Sequence, residues 1–132
     1  MNASRSSFLK NQDASTVAEL LIRYWTSMEK LWPEAIARDT RDEYSLMKSV
    51  GVLTMHSIAP TVFEAAHVGG KKITADALHE VLEPVAKKLT IDFWNSKTGE
   101  AGKIGTNNKA VRYLSDQILK HVQPGRLSSS LL

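Results

Sequence analysis

The spacing of apolar residues is the feature that most constrains how this chain folds. Apolar side chains recur at steps of three and four positions in four stretches, and no stretch alternates regularly between apolar and polar residues. The first stretch carries a stripe formed by Val17, Leu20, Leu21, Tyr24, Met28 and Leu31. This spacing predicts an all-α fold, a single compact bundle of about four to six helices.

Prolines divide this helical pattern. We expect a bend at Trp32, with Pro33 in the first turn of a short helix, because the residue before a proline disfavours the helical conformation. Pro60 and Pro84 lie inside apolar stretches, where the missing N–H and the ring predict a kink or a break. At Pro84 the alternatives are a kinked helix and two short helices, and the continuous apolar spacing favours the kink.

The segment from Tyr44 to His56 has apolar residues on more than one face, so we predict that it forms the central helix. Gly51 within this segment lowers helix stability, so a neighbouring helix is expected to approach closely there. Thr74 is the expected cap of a later helix, and Asn107 or Thr106 is the expected cap of the last one.

Composition restricts the class of protein. The chain has 132 residues, 42% apolar and 23% charged, which fits one soluble globular domain over residues 13–123 between flexible tails at 1–12 and 124–132. There is no cysteine, which excludes disulfides, zinc–thiolate sites and thiol catalysis and permits the cytoplasmic location that we predict. The N-terminus does not read as a secretion signal, and no apolar run is long enough for a membrane span.

The most informative stretch for function is WNSKTGEAGKIGTNNKAVRYL, residues 94–114, which places glycines, amides and lysines before a helix. Glycines can adopt positive φ, and a helix start offers free N–H groups to an anion. The candidate anion- or nucleic-acid-binding residues are Lys97, Lys103, Gly105, Asn107, Asn108, Lys109 and Arg112. The alternative is that the glycines only turn the chain while Asn107 caps the helix. We call residues 97–112 the basic segment.

Charge and motifs leave the ligand open. Residues 71–132 carry ten Lys or Arg against six Asp or Glu, so the surplus of +3 lies in the half that contains the basic segment. The glycine spacing matches neither the P-loop nor GxGxxG, and no GxSxG motif is present. HEVLE, which begins at His79, lacks the second histidine of a zinc-protease helix. We therefore predict no catalytic residue, no cofactor and no metal site.

Three parts of the chain together resemble a known family. In order, they are LLIRYWTSMEKLWPEA, YSLMKSVGV and DFWNSKTGEAGKIGTNNKAVRYLSDQI. This order resembles the C-terminal helical part of the DGQHR-domain proteins, in which a Trp-containing helix precedes an LLKTVG-like segment, a Trp, a glycine-containing loop and a final helix. The similarity covers most of residues 20–122, and the family pattern falls on residues 44–51 and 94–112.

That family resembles regulators and accessory proteins of DNA modification and mobile-element defence, including DNA phosphorothioation systems. The resemblance therefore implies a DNA-related binding role. The Asp-Gly-Gln-His-Arg motif and its surrounding domain are absent from this sequence, so no function located there is transferred.

The expectation is a non-enzymatic, DNA-associated binding domain that contacts phosphate or an acidic partner through the basic segment, with no membrane partner. The alternative is a structural or oligomerisation module, in which an exposed Trp or Tyr patch on the first helix binds another protein or a second copy. A small hydrolase or nucleotide enzyme is the third reading. It requires side chains such as His67, His79 and Glu83 to converge on one pocket.

Overall fold

The computed structural model describes residues 12–122, which form a compact bundle of six α-helices with no strand. The helices are α1 Ala14–Leu31, α2 Pro33–Ile36, α3 Ser49–Ala66, α4 Ala75–Lys88, α5 Glu100–Lys103 and α6 Asn108–Leu119. Short 3₁₀ turns occupy Arg41–Glu43, Val68–Gly70 and Ile91–Trp94. The predicted all-α class is confirmed. Of the predicted tails, 1–12 and 124–132, only Gln12 lies within the described residues.

Helix α1 packs its apolar stripe against α4 and α3. The Asp13 carboxylate accepts the Thr16 N–H at 2.8 Å and so caps the first turn. Tyr24 is fully buried, and its hydroxyl donates to the Met55 carbonyl at 2.7 Å, which satisfies the only polar atom of that side chain inside the core. Burial raises the pKa of Tyr24 well above the ordinary value for tyrosine.

Helix α3 is the central helix, as predicted, but it begins at Ser49 rather than near Tyr44. Residues 44–48 instead form a bridge and turns, because their backbone pairs with a distant part of the chain described below. A Cβ on Gly51 would lie 2.1 Å from the Leu46 carbonyl oxygen and 2.4 Å from that of Ser45. The close neighbour of Gly51 is therefore the segment that precedes α3, and the expectation of a neighbouring helix is wrong.

The interior prolines do not divide their helices. Helix α3 runs through Pro60 and α4 runs through Pro84, which excludes the predicted alternative of a break at either position. A proline inside a helix costs about 3 kcal/mol, because it removes one hydrogen bond and crowds the preceding turn. Burial compensates in α3, where nine residues are buried, among them Val62 and Phe63 just after the proline.

The core also holds the two most deeply buried tryptophans. Trp32, which follows α1, and Trp94 pack edge to face with ring centroids 5.6 Å apart. The Trp32 indole N–H donates to the Leu89 carbonyl at 3.0 Å, at the end of α4. Helix α6 covers α3 with Leu114 and Ile118, which are both fully buried. These contacts fix the two ends of the segment between Trp94 and α6.

Gly51→Ala tests the close approach beneath α3. Alanine favours a helix by about 1 kcal/mol over glycine, but its Cβ would overlap two carbonyl groups, and overpacking of this kind costs about 1 to 3 kcal/mol. We expect a net loss in the free energy of unfolding, measured by urea denaturation. Ser57→Ala, at an exposed position of the same helix, serves as the control and should change that free energy by less than about 0.5 kcal/mol. A stabilised Gly51→Ala protein would contradict the packing described here.

Candidate functional site

A short pairing of backbone groups holds the start of the basic segment. The Ser45 N–H donates to the Trp94 carbonyl at 2.6 Å, and the Ser96 N–H donates to the Glu43 carbonyl at 2.9 Å. The Ser45 hydroxyl donates to the same Trp94 carbonyl at 3.1 Å. We call the two main-chain contacts the backbone junction. Because the junction uses main-chain atoms, it fixes the path of the chain on both sides of Trp94.

The turn that follows the junction is built by one amide side chain. Asn95 Oδ1 accepts the N–H groups of Lys97 at 2.9 Å and Thr98 at 3.0 Å, which is the hydrogen bonding of an Asx turn. The Asn95 carbonyl then accepts the Gly99 N–H at 2.9 Å. This turn leaves the Lys97 side chain exposed.

The three glycines of this stretch serve two different purposes. A Cβ on Gly99 would lie 2.3 Å from the Asp92 carbonyl oxygen, and one on Gly102 would lie 2.2 Å from the Asn95 carbonyl oxygen. These two glycines permit close packing of backbone on backbone, and neither has a positive φ. Gly105 alone among the three has a positive φ, +91°, with open space where a Cβ would be. Positive φ was expected to be available at all three, and the structure uses it at one.

A short helix that the sequence did not predict, α5, crosses between the turn and α6. Its first residue, Glu100, accepts a hydrogen bond from the Tyr113 hydroxyl through Oε2 and so ties α5 to α6. This hydrogen bond to the Glu100 carboxylate is the main cause that raises the pKa of Tyr113 above the ordinary value. The one carboxylate of the basic segment is therefore engaged with a phenol rather than with a lysine.

Asn107 caps α6, as one of the sequence alternatives predicted. Its Oδ1 accepts the Ala110 N–H at 2.8 Å, and its carbonyl accepts the Val111 N–H at 3.0 Å. The side chain of Asn107 is thus committed to the helix rather than held for a ligand. The N–H groups of the next two residues, Asn108 and Lys109, come before the first intrahelical bonds, as at any helix start.

A hollow of about 260 Å³ lies beside this helix start. Asn107 and Lys109, both predicted site residues, line it together with Ile104, Ala110 and Tyr113. Ile104 and Tyr113 were not predicted. Their part in the hollow depends on the fold of α5 against α6, for which the sequence holds no local pattern.

The remaining predicted site residues are on the surface. Lys97, Lys103, Asn108 and Arg112 are all exposed, as are Gly105, Asn107 and Lys109. Across residues 12–122 the ion pairs join Arg23 to Glu19, Lys30 to Asp76 and Lys71 to Glu80, so none of them uses a cation of the basic segment.

The structure adds one cation to this surface. Lys48 Nζ donates to the Ser96 hydroxyl at 2.9 Å, although the two residues are 48 positions apart in the chain. The backbone junction brings them together. Sequence reasoning missed Lys48, because it stands in the other half of the chain, within the segment predicted to be helical.

The third interpretation, a small hydrolase or nucleotide enzyme, requires His67, His79 and Glu83 to converge on one pocket. In the described part of the chain, no group of three or more His, Asp or Glu side chains is close enough to hold a metal ion, so these three do not form such a group. Among the same residues, no helix combines the length and the apolar character that a membrane crossing requires.

Comparison with known proteins finds no match to this chain among family models, curated proteins or solved structures. The resemblance of residues 44–51 and 94–112 to the DGQHR-domain proteins therefore stays a prediction. The fold does place these two segments against each other, since the backbone junction lies where they meet.

Asn107→Ala separates capping from ligand binding. Loss of the side-chain acceptor should lower the free energy of unfolding by about 1 kcal/mol, as for other N-cap substitutions. Asn108→Ala is the matched control, because Asn108 is the neighbouring exposed asparagine and does not occupy the cap. Urea denaturation of both variants measures the difference. Equal stability of the two variants would contradict the capping role.

The Tyr113 hydrogen bond predicts a pH dependence. The Glu100 carboxylate raises the Tyr113 pKa in the folded protein. The hydrogen bond therefore contributes fully to folding stability below the ordinary tyrosine pKa of about 10, and this contribution is lost as pH rises through the higher pKa of the folded state. Glu100→Ala should lower the Tyr113 pKa, as measured by ultraviolet absorbance of tyrosinate against a Tyr113→Phe reference. Glu83→Ala, an exposed carboxylate on α4, should leave it unchanged. An unchanged titration in Glu100→Ala would refute the hydrogen bond.

Proposed function

We propose that this chain is a non-enzymatic helical domain that binds the phosphate backbone of DNA through the basic segment. The observation that carries the proposal is electrostatic. The four cations of the segment, Lys97, Lys103, Lys109 and Arg112, are exposed and take part in none of the ion pairs within residues 12–122. The only carboxylate among residues 97–112 is Glu100, which accepts the Tyr113 hydroxyl. The surface therefore keeps its positive charge for an external anion.

Phosphate is the anion class that suits this surface best. Lysine and arginine on a rigid backbone neutralise successive phosphates and release the counterions condensed on the nucleic acid, so affinity falls steeply with salt. Such contacts position the nucleic acid but do not read its sequence. The resemblance to DGQHR-domain proteins supports DNA over other polyanions. Lys48, held beside Ser96, supplies a fifth cation from the other half of the chain.

Charge reversal tests this proposal. We expect Lys103→Glu combined with Lys109→Glu to weaken binding to fluorescein-labelled DNA at least about tenfold and to flatten the dependence of affinity on salt, because two phosphate contacts are lost. Fluorescence anisotropy at two salt concentrations, with single-stranded and duplex DNA, measures both effects. The matched control is Lys87→Glu with Lys88→Glu, the exposed pair in the last turn of α4, which changes net charge equally.

The control and a third variant decide the outcome. The α4 pair should reduce affinity much less than the pair in the basic segment. Glu100→Gln should tighten binding, because it removes the negative charge and keeps an oxygen that can accept the Tyr113 hydroxyl. Equal losses of DNA affinity in the two double variants would mean that only net charge matters. A DNA affinity that neither double variant changes would refute the proposal.

A further inference from the structure

A second surface, which shares no residue with the basic segment, lies on α1, α2 and α3. It is a hollow of about 420 Å³ whose apolar wall includes Ile22, Trp25 and Ile36. Ile22 is 61% exposed, and Leu53, one helical turn before the hollow residue His56 on α3, is 53% exposed. Exposed apolar side chains in and near a hollow are the kind of surface that a partner can cover.

Two hydrogen-bond donors of this hollow, the Trp25 indole N–H and the Thr26 hydroxyl, are already used within the chain. The Trp25 indole N–H donates to His56 Nε2 at 3.0 Å, and the two rings meet edge to face with centroids 5.8 Å apart. The Thr26 hydroxyl donates to the Ile22 carbonyl of its own helix at 2.7 Å. An apolar occupant can therefore cover the indole and the hydroxyl without leaving either donor unpaired, which is the usual cost of burying polar groups.

One charge determines which apolar occupant fits. Within residues 12–122, Glu29 is the only Asp, Glu, Lys or Arg that lines the hollow. A partner that covers this carboxylate with a Lys or Arg gains a charge-assisted contact, whereas an acidic partner is repelled. A second copy that docked through the same face would bring another Glu29 and no cation from the hollow lining, which disfavours a symmetric pair.

We propose that this hollow binds an amphipathic helix of a partner protein, with apolar side chains seated against Ile22, Trp25 and Leu53 and a basic residue facing Glu29. A helix fits because its anchors at every third or fourth position can contact Ile22 and Trp25, which follow the same spacing along α1. This proposal is independent of DNA binding, since the two surfaces use different elements. Together they would let the domain join a polyanion to a protein.

The tryptophans provide a direct readout of this surface. Trp32 and Trp94 are 1% and 0% exposed, so a change in emission or in acrylamide quenching on ligand binding reports on Trp25. The probe is a synthetic amphipathic peptide with leucines along one helical face and lysines beside them. The comparison peptide carries glutamates in place of the lysines. Trp25→Phe should keep the binding of the lysine peptide, measured by peptide anisotropy, and lose the fluorescence change.

We expect saturable binding of the lysine peptide and weaker binding of the glutamate peptide. Ile22→Lys should lower the affinity for the lysine peptide at least about tenfold, and because Ile22 is exposed this variant should fold. Glu29→Gln should lower that affinity about two- to fivefold, the range of an exposed ion pair, while Glu83→Gln on α4 should leave it unchanged. DNA affinity of Ile22→Lys should stay unchanged.

Three results would overturn the proposal. The first is no Trp25 response to either peptide, and the second is equal binding of the lysine and glutamate peptides. The third is concentration-dependent dimerisation in light scattering that Ile22→Lys removes, because a second copy would then be the occupant. Binding that depends on both Ile22 and Glu29 in a monomeric protein supports a heterologous helix with a basic residue.

Discussion

The backbone junction is the interaction on which the rest of this structure depends. Ser45 and Ser96 each donate a main-chain N–H across a gap of about fifty residues in sequence, to the carbonyls of Trp94 and Glu43. Such close pairing of irregular backbone is possible because glycines stand where a Cβ would collide, at Gly51, Gly99 and Gly102 in the chain segments on either side. The junction therefore fixes the start of α3 and the point at which the basic segment leaves the core. It also brings Lys48 beside Ser96, next to the basic segment.

Much of the fold could be predicted from local sequence, because the forces involved act over one or two helical turns. The apolar stripe of α1 and the caps Thr74 and Asn107 are examples, and the structure confirms each. Residues 44–48 were predicted as helix because their apolar spacing fits one. Pairing with Trp94 overrides that preference. The spacing of apolar residues within residues 44–48 carries no information about a partner so distant in the sequence.

The candidate site divides in the same way. Exposed lysines and the Asn107 cap follow from the residues themselves, whereas the contributions of Lys48 and Tyr113 depend on contacts between separate elements. The glycines show most clearly why the distinction matters. They were predicted either to adopt positive φ in an anion-binding loop or only to turn the chain. In the structure Gly99 and Gly102 serve tight backbone packing, and of the three Gly105 alone has a positive φ. The first part of the basic segment is thus built from closely packed backbone, from which the exposed Lys97 and Lys103 project.

Native-state hydrogen exchange at the Ser45 and Ser96 amides tests the role of the junction most directly. Both amides lie outside the α-helices, so in an ordinary surface loop they would exchange with little protection. If the junction organises the fold, both amides should exchange only on global opening, with the same protection as buried α3 amides such as Met55. Fast exchange at these two amides while the α3 amides remain protected would show that the junction opens independently and would contradict this account.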